Sequence, residues 1–426
     1  MLSGALRQSR FRAYASVLLI AGLMVAVATS GTAGAASQST GARHSRQTTI
    51  VGEKTLAKEL ARKHLKIAVA LSYYGNSWQT EALDEIKAEA ATPPYKGHVT
   101  LRVDISGTST TAQIAEINND VAAGEKAIIM YPISTSALNP AIENACKAGV
   151  VVYAYNAYVT APCAHNVTTS DLEFGTLQAR GLVQFLHGKG NIAEMTGIAG
   201  TSADTERRAG WASVLKHYPN IHVVATADGK WTAAVTQSAF SSLVASHPTV
   251  VGVLAETSCQ AVEAALHAGG HKLLPCAGES ENQWRIDMLP KSQGGAGVAG
   301  VSVGGPAYTG ELAFINSVSI LTGHSVAPDM EVPLPYVTSK TIKIGTKATH
   351  DVAKGANVFP KSSGYKLASD FFDDVWSPLV NQGVTAAING KSDVVSEAQP
   401  CSKVKGCITG KSTKLFLKFG AGTVPE

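Results

Sequence analysis

The chain has 426 residues, enough for two or three domains with sizeable cores, and its 45% hydrophobic and 16% charged composition excludes an intrinsically disordered protein. Its formal charge of +4 originates at the front: residues 1–35 and 43–66 hold ten of the 36 Lys/Arg and two of the 32 Asp/Glu, leaving a net −4 elsewhere. Nucleic-acid binding needs a basic face, so no nucleic acid is expected as a partner.

In chain order, Arg7, Arg10 and Arg12 precede the apolar stretch AYASVLLIAGLMVAVA (13–28), and Ala33-Gly34-Ala35 fits a small-residue cleavage site. Residues 1–35 therefore read as a signal peptide, and a protein exported to the periplasm or cell exterior is expected. The alternative is an uncleaved anchor, for which the stretch falls short of the roughly 20 residues that span a bilayer. The first cysteine is Cys146, so lipid attachment at a new amino-terminal cysteine is not open to the chain. Residues 36–64 read as a Ser/Thr-rich linker followed by a short leading helix in KTLAKELARKHL (54–65).

A regular alternation begins at residue 65. Strands are expected at 65–71, 99–105, 126–132 and 150–156, with helices at 78–90, 111–124 and 136–148 between them. The second block places helices at 172–187, 204–217, 232–246, 259–268 and 307–322, and strands at 191–197, 221–227, 249–257, 272–278 and 297–305. Strands alternating with helices imply parallel sheets covered on both faces. The expected fold is α/β, two doubly wound parallel-sheet (Rossmann-like) domains joined by a multi-crossing hinge, with strand carboxyl ends facing one cleft. Residues 65–170 plus 306–332 would form an amino-terminal lobe and 171–305 plus 333–345 a carboxyl-terminal lobe. Residues 346–426 extend beyond, with NVFP (357–360) and DFFDDVWSPL (370–379) amphipathic enough to dock on the body.

Six cysteines in an exported chain suggest disulfides; of the 15 full pairings the expectation is the sequential one, Cys146–Cys163, Cys259–Cys276 and Cys401–Cys407. GAGVAG (295–300) precedes a strand instead of following one, so it is a turn and not a dinucleotide site. SVLK (213–216) lies in mid-helix without companion motifs, no GxSxG elbow is present, and no HExxH or Cys/His cluster suggests a metal. Asn166-Val167-Thr168 is a glycosylation sequon, while His217, His222, His247, His267 and His271 read as surface residues. Glu279 and Glu281 are an acid pair whose default reading is solvated loop residues. No enzyme chemistry, cofactor or metal is expected.

Polar and aromatic residues at strand ends carry a stronger signal. Asn76, Trp78 and Gln79 follow the first strand, Tyr131 the third, and Tyr155, Asn156 and Tyr158 the fourth; Arg207, Trp231 and Thr257 hold equivalent places in the second block. Aromatic faces pack on the C–H faces of sugar rings, and planar side chains hold hydroxyls at fixed angles. The loop GIAGTSADTERRAGW (197–211) feeds a helix carrying Arg207 and lacks the lysine of a phosphate-binding loop.

These segments, together with YYGNSWQTEALDEIKAEA, MYPISTSALNPAIENACKAGVVVYAYN, TTSDLEFGTLQARGLVQFL and HPTVVGVLAET, resemble the type I periplasmic binding proteins, specifically the ribose/galactose-type solute receptors of ABC importers. The resemblance spans about residues 65–345. It implies that Arg207 reaches sugar hydroxyls across the cleft and that Arg208 faces solvent or a nearby acid. By the same resemblance Asn76, Trp78 and Gln79 come from the first loop, Tyr131 replaces a polar residue, Asp171 matches an acid near the crossing, and Trp231 covers the ring. Asn156-Ala157 stands where many relatives have Asp-Arg, and Thr257-Ser258 where they have Asn-Asp. Glu279 lies beside the place of another aspartate, and Gly304 falls near an expected glutamine. Several sugar-clamping groups are thus absent, and the tyrosines favour a sugar derivative, cyclitol or aromatic solute. The expected function is a receptor that closes on a small polar solute and delivers it to a membrane permease, with Arg207→Ala weakening binding without unfolding the protein. A sensory receptor feeding a kinase or chemoreceptor is the alternative, and an exported hydrolase the more distant one.

Overall fold

The computed structural model describes residues 53–346, 356–360 and 362, apart from 258, 327 and 333. The expected signal peptide, most of the expected linker, DFFDDVWSPL (370–379), Ser258 and the expected Cys401–Cys407 pair lie outside the described residues.

The first lobe carries α1 (Glu53–Leu60), β1 (Leu65–Leu71), α2 (Ser77–Ala90), β2 (Val99–Ile105), α3 (Thr110–Ala123), β3 (Ala127–Tyr131), α4 (Asn139–Lys147), β4 (Val151–Asn156) and β5 (His165–Thr168). The chain continues through α5 (Asp171–Phe185), β6 (Lys189–Thr196), α6 (Ser202–Leu215), β7 (Asn220–Asp228), α7 (Ala233–Ser246), β8 (Val250–Ala255), α8 (Gln260–Ala268) and β9 (Cys276–Glu279). It ends with α9 (Asn282–Met288), β10 (Gly300–Val303), α10 (Thr309–Leu321), β11 (Asp329–Glu331) and β12 (Tyr336–Thr338).

Two six-stranded sheets result, in the orders β11-β5-β4-β3-β1-β2 and β12-β10-β9-β8-β6-β7. All pairings are parallel except β12 on β10. Parallel strands covered on both faces need apolar residues at every position. In β1 the odd positions Ile67, Val69 and Leu71 enter one buried cluster, while Ala68 and Ala70 enter another on the opposite face. β2, at the sheet edge, alternates and leaves Val103 and Ile105 exposed.

The chain passes between the sheets three times, after β5, after β10 and after β11. α10 packs on β4 and α2, whereas α5 packs on β10 and α6. The crossings are tied in pairs: the Val332 amide donates to Thr168 O at 2.7 Å and the Gly304 amide to Pro335 O at 2.7 Å. Side-chain caps fix where helices begin, with Asn76 capping α2, Ser170 capping α5 and Thr201 capping α6.

Cys146–Cys163 and Cys259–Cys276 are bonded, the latter tying the start of α8 to the first residue of β9. Two strands, β9 and β10, begin at least three residues later than the sequence suggests. Pairing in the 272–278 stretch begins only after Pro275, which has no N–H to give, and Gly297 at φ +73° delays the strand expected from 297. Asn166 is committed within β5: its side-chain amide donates to Asp329 Oδ1 at 2.8 Å and to Val159 O at 3.3 Å. The sequon is therefore engaged in packing.

Candidate functional site

The segments that follow β1 of the first sheet and β7, β8 and β9 of the second line one cleft, the place where open parallel sheets bind ligands. The cleft has a volume of about 450 Å³. Asn76, Ser77 and Trp78 of the first lobe line it, as do Trp231, Gln237, Thr257, Gln260, Glu279 and Glu281 of the second.

Arg207 organises the second lobe's wall. Its Nε donates to Asp171 Oδ1 at 2.8 Å, and its Nη1 donates to Glu279 Oε1 at 2.8 Å and to Glu256 O at 3.1 Å. The guanidinium lies 3.9 Å from the Phe174 ring centroid and 6.0 Å from that of Trp231. Burial alone would lower its pKa, but the carboxylates of Asp171, Glu279 and Glu256 outweigh burial and raise it. Burial raises the pKa of Glu279 against the pull of Arg207. Glu256, fully buried, is raised well above the carboxylate range by burial, with Asp204 reinforcing the shift and Arg207 opposing it.

The loop before α6 explains its glycines. A Cβ on Gly197 would lie 2.4 Å from the Trp231 ring and 2.5 Å from Glu256 Oε2, so only glycine lets β6 hand over to the loop there. Asp204 Oδ1 then accepts the Gly197 amide at 3.1 Å, folding the loop onto the helix that carries Arg207. Arg208 points outward, 3.9 Å from Asp204 Oδ2.

On the first lobe's side, Trp78 is 6% exposed and donates its Nε1–H to Gly305 O. It stacks on Tyr155 at 6.3 Å and tilts against Tyr131 at 5.8 Å. Tyr131 and Tyr155 are a buried layer behind it, and Gln79 lies in the same layer against the Tyr73 hydroxyl. Asn76 Nδ2 crosses to Trp231 O at 3.4 Å, and Tyr73 stacks on Trp231 at 6.3 Å and 14°. The two lobes meet at Gly305: a Cβ there would sit 3.9 Å from Trp78 Nε1, 3.9 Å from Arg207 Nη2 and 3.8 Å from Glu279 Oε1.

Of the residues singled out in the sequence, Asn76, Trp78, Trp231, Thr257 and Glu279 line the cleft. Asp171 and Arg207 support it from beneath, and Gln79, Tyr131 and Tyr155 back the tryptophan. Asn156, at φ +60° and 5% exposed, ends β4 and is not among the lining residues. Glu279 and Glu281 are buried at 8% and 6% exposure, not solvated as their loop position suggests. Sequence reasoning missed Gln237, Gln260, Glu256 and Tyr73. Tyr73 was within reach, because it stands at the same strand end as Asn76; Gln237 follows Trp231 by six residues in a helix without a motif.

Comparison with known proteins agrees with this architecture. Residues 67–282, half of the chain, match the family model described as a periplasmic binding protein domain. The chain is 28% identical to the xylitol-binding protein of Mycolicibacterium smegmatis over 41% of its length, and spans only about half of that relative, 51%. It is 25% identical to the ribose import binding protein of Bacillus subtilis, over 66% of this chain and 89% of the relative. Among solved structures, an ABC transporter solute binding protein from Bacillus halodurans with bound myo-inositol superposes with a TM-score of 0.58 at 23% identity, covering 65% of this chain and 96% of that one. A fructose binding periplasmic domain of a hybrid two-component system gives a TM-score of 0.54 at 21% identity, covering 65% and 91%. No helix among the described residues is long and apolar enough to cross a membrane. Two parallel-dominated sheets, three crossings and a family model matched over half its length place the chain in the periplasmic binding protein family.

Proposed function

We propose that the protein is the extracytoplasmic solute receptor of an ABC importer, holding a sugar or sugar-like polar molecule between its lobes and presenting it to a membrane permease. The observation that carries this reading is the meeting of Trp78 from one lobe with Arg207 and Glu279 from the other around Gly305, beside a cleft lined from both sides. Hinge closure shifts the population towards the closed form because the solute touches both lobes only there. Amides and hydroxyls at Asn76, Gln237, Thr257 and Gln260 suit hydroxyl groups, while the indoles of Trp78 and Trp231 suit ring faces.

A sensory receptor coupled to a kinase is the second reading, favoured by the fold shared with the two-component fructose-binding domain. A thermal-shift screen of the purified protein over sugars, polyols and aromatic solutes tests the receptor reading. A binder present at about 100 times its Kd stabilises the fold by about 2.7 kcal/mol. A screen in which no polar solute raises the Tm argues against the receptor. Permease and ATPase genes beside this one favour import, and a kinase gene in their place favours sensing.

A further inference from the structure

The cleft has an uneven charge. Its only ionisable lining residues among those described are Glu279 and Glu281, both acids, and the remainder are amides, hydroxyls, small residues and two indoles. Behind that lining Arg207 is the one buried cation of its network, and it faces Asp171, Glu279 and Glu256, with Asp204 beside Glu256. Its Nε and Nη1 are already committed to Asp171 and Glu279. Of its five N–H donors the two on Nη2 remain, so its Nε–Nη1 face offers no fork to a carboxylate or phosphate on a solute, and an added anion would meet carboxylates that already share its charge. Electron-rich faces add to the asymmetry: Trp78 and Trp231 both line the cleft, and indole is the strongest cation–π partner among the side chains. The Trp231 Nε1–H, on a residue 7% exposed, has no hydrogen-bond partner among the described residues.

We propose that the cleft is built for a polyol carrying a protonated amine, an amino sugar or amino-polyol, and that it discriminates against the acidic counterpart of the same size. The amine sits against Glu279 and an indole face, and the hydroxyls are held by the amides of Asn76 and Gln237 and the hydroxyl of Thr257. This rests on the solute-receptor reading above and deepens it.

Calorimetric titration of the purified full chain tests it with four matched sets: 2-amino hexoses, their parent hexoses, the N-acetylated hexosamines and the hexuronates. The measurements are made at about pH 6.5, below the ordinary range of an amine. The expected order is amine first, by about tenfold over the parent hexose, which equals about 1.4 kcal/mol from one partly buried ion pair and a cation–π contact. Hexuronates are expected to bind last. The N-acetyl series keeps the substituent and removes the charge, so an advantage shared by both series would overturn the proposal. Raising the salt concentration is expected to erode the amine's advantage and leave the parent hexose unchanged; an advantage indifferent to salt would also overturn it. Glu279→Gln is expected to abolish the preference, and the salt series on the unsubstituted protein decides the matter where that variant does not fold. Parent hexoses binding as tightly as amines sink the charge proposal and leave the receptor standing. Silence from all four sets overturns the amine proposal and leaves the receptor reading to the thermal-shift screen.

Discussion

At the scale of single residues, Arg207 is the clearest case of a legible position with a different role. The sequence presents it as a ligand contact whose loss leaves the fold intact. In the structure it is 3% exposed and bonded to two carboxylates, so it belongs to the protein's interior before it belongs to a ligand. Breaking a buried pair by removing one partner costs about 3–5 kcal/mol, because the abandoned charges stay buried. Arg207→Ala is therefore expected to lower the urea midpoint strongly as well as to weaken binding, and Arg207→Lys, which keeps the charge but loses the fork, to fall between. Equilibrium unfolding checks this, and an unchanged midpoint would return Arg207 to a purely ligand-facing role. What the sequence held was the residue's place on a loop–helix junction. Its partners Asp171 and Glu279 stand 36 and 72 residues away, and pairing at such separations leaves no local pattern.

At the scale of elements, most of the alternation was readable because each strand–helix unit repeats its hydrophobic period. β1, β3 and β4 are apolar runs, and their limits differ from expectation by no more than a residue at either end. β5, β11 and β12 escaped: they have three or four residues each, too few for alternation to register, and HNVT is polar. The packing of α5 on α6 was equally hidden, although it aims Arg207. A Cβ on Gly175 would lie 1.9 Å from the Arg207 carbonyl oxygen, and one on Gly210 would lie 2.4 Å from the Leu172 carbonyl oxygen. The backbones touch because both contact positions lack side chains. Gly175→Ala gains roughly 1 kcal/mol in helix propensity and loses about 1–3 kcal/mol to overpacking. Forced apart, the helices would carry Arg207 away from Asp171. The expected result is a lowered melting temperature together with weakened solute binding, measured on the same preparation. A variant as stable as the parent with full affinity would mean that the helix pair yields without moving the arginine.

For the whole molecule, the two-lobed plan follows from rhythm alone, but the distribution of buried charge does not, because burial of an acid is decided by its neighbours in space. Three acids far from one another in sequence hold their protons more tightly in the folded protein than an ordinary carboxyl does. Glu263 on α8 is pushed up to about 9 by burial and by the facing Asp287 of α9. Asp120 on α3 is pushed up to about 7, first by burial and then by Asp104, with Arg102 opposing. Glu256 is raised by burial under the cleft. In each case the native state binds more protons than the unfolded chain through the window between the two pKa values, so stability falls as pH rises. The stabilisation from Asp120 is complete below the ordinary carboxylate range and is lost as pH climbs through about 7; that from Glu263 is lost through about 9. The urea midpoint is therefore expected to decline in two stages from weakly acidic to alkaline conditions. Asp120→Asn should flatten the earlier stage, and Glu263→Gln the later one, because an amide cannot titrate. The two sites lie in different lobes, on helices packed against different sheets, so their effects should add in the double variant. A late decline that persists undiminished in Glu263→Gln would assign the lost stability to other groups and leave the Glu263–Asp287 contact without influence on the alkaline limit of the fold.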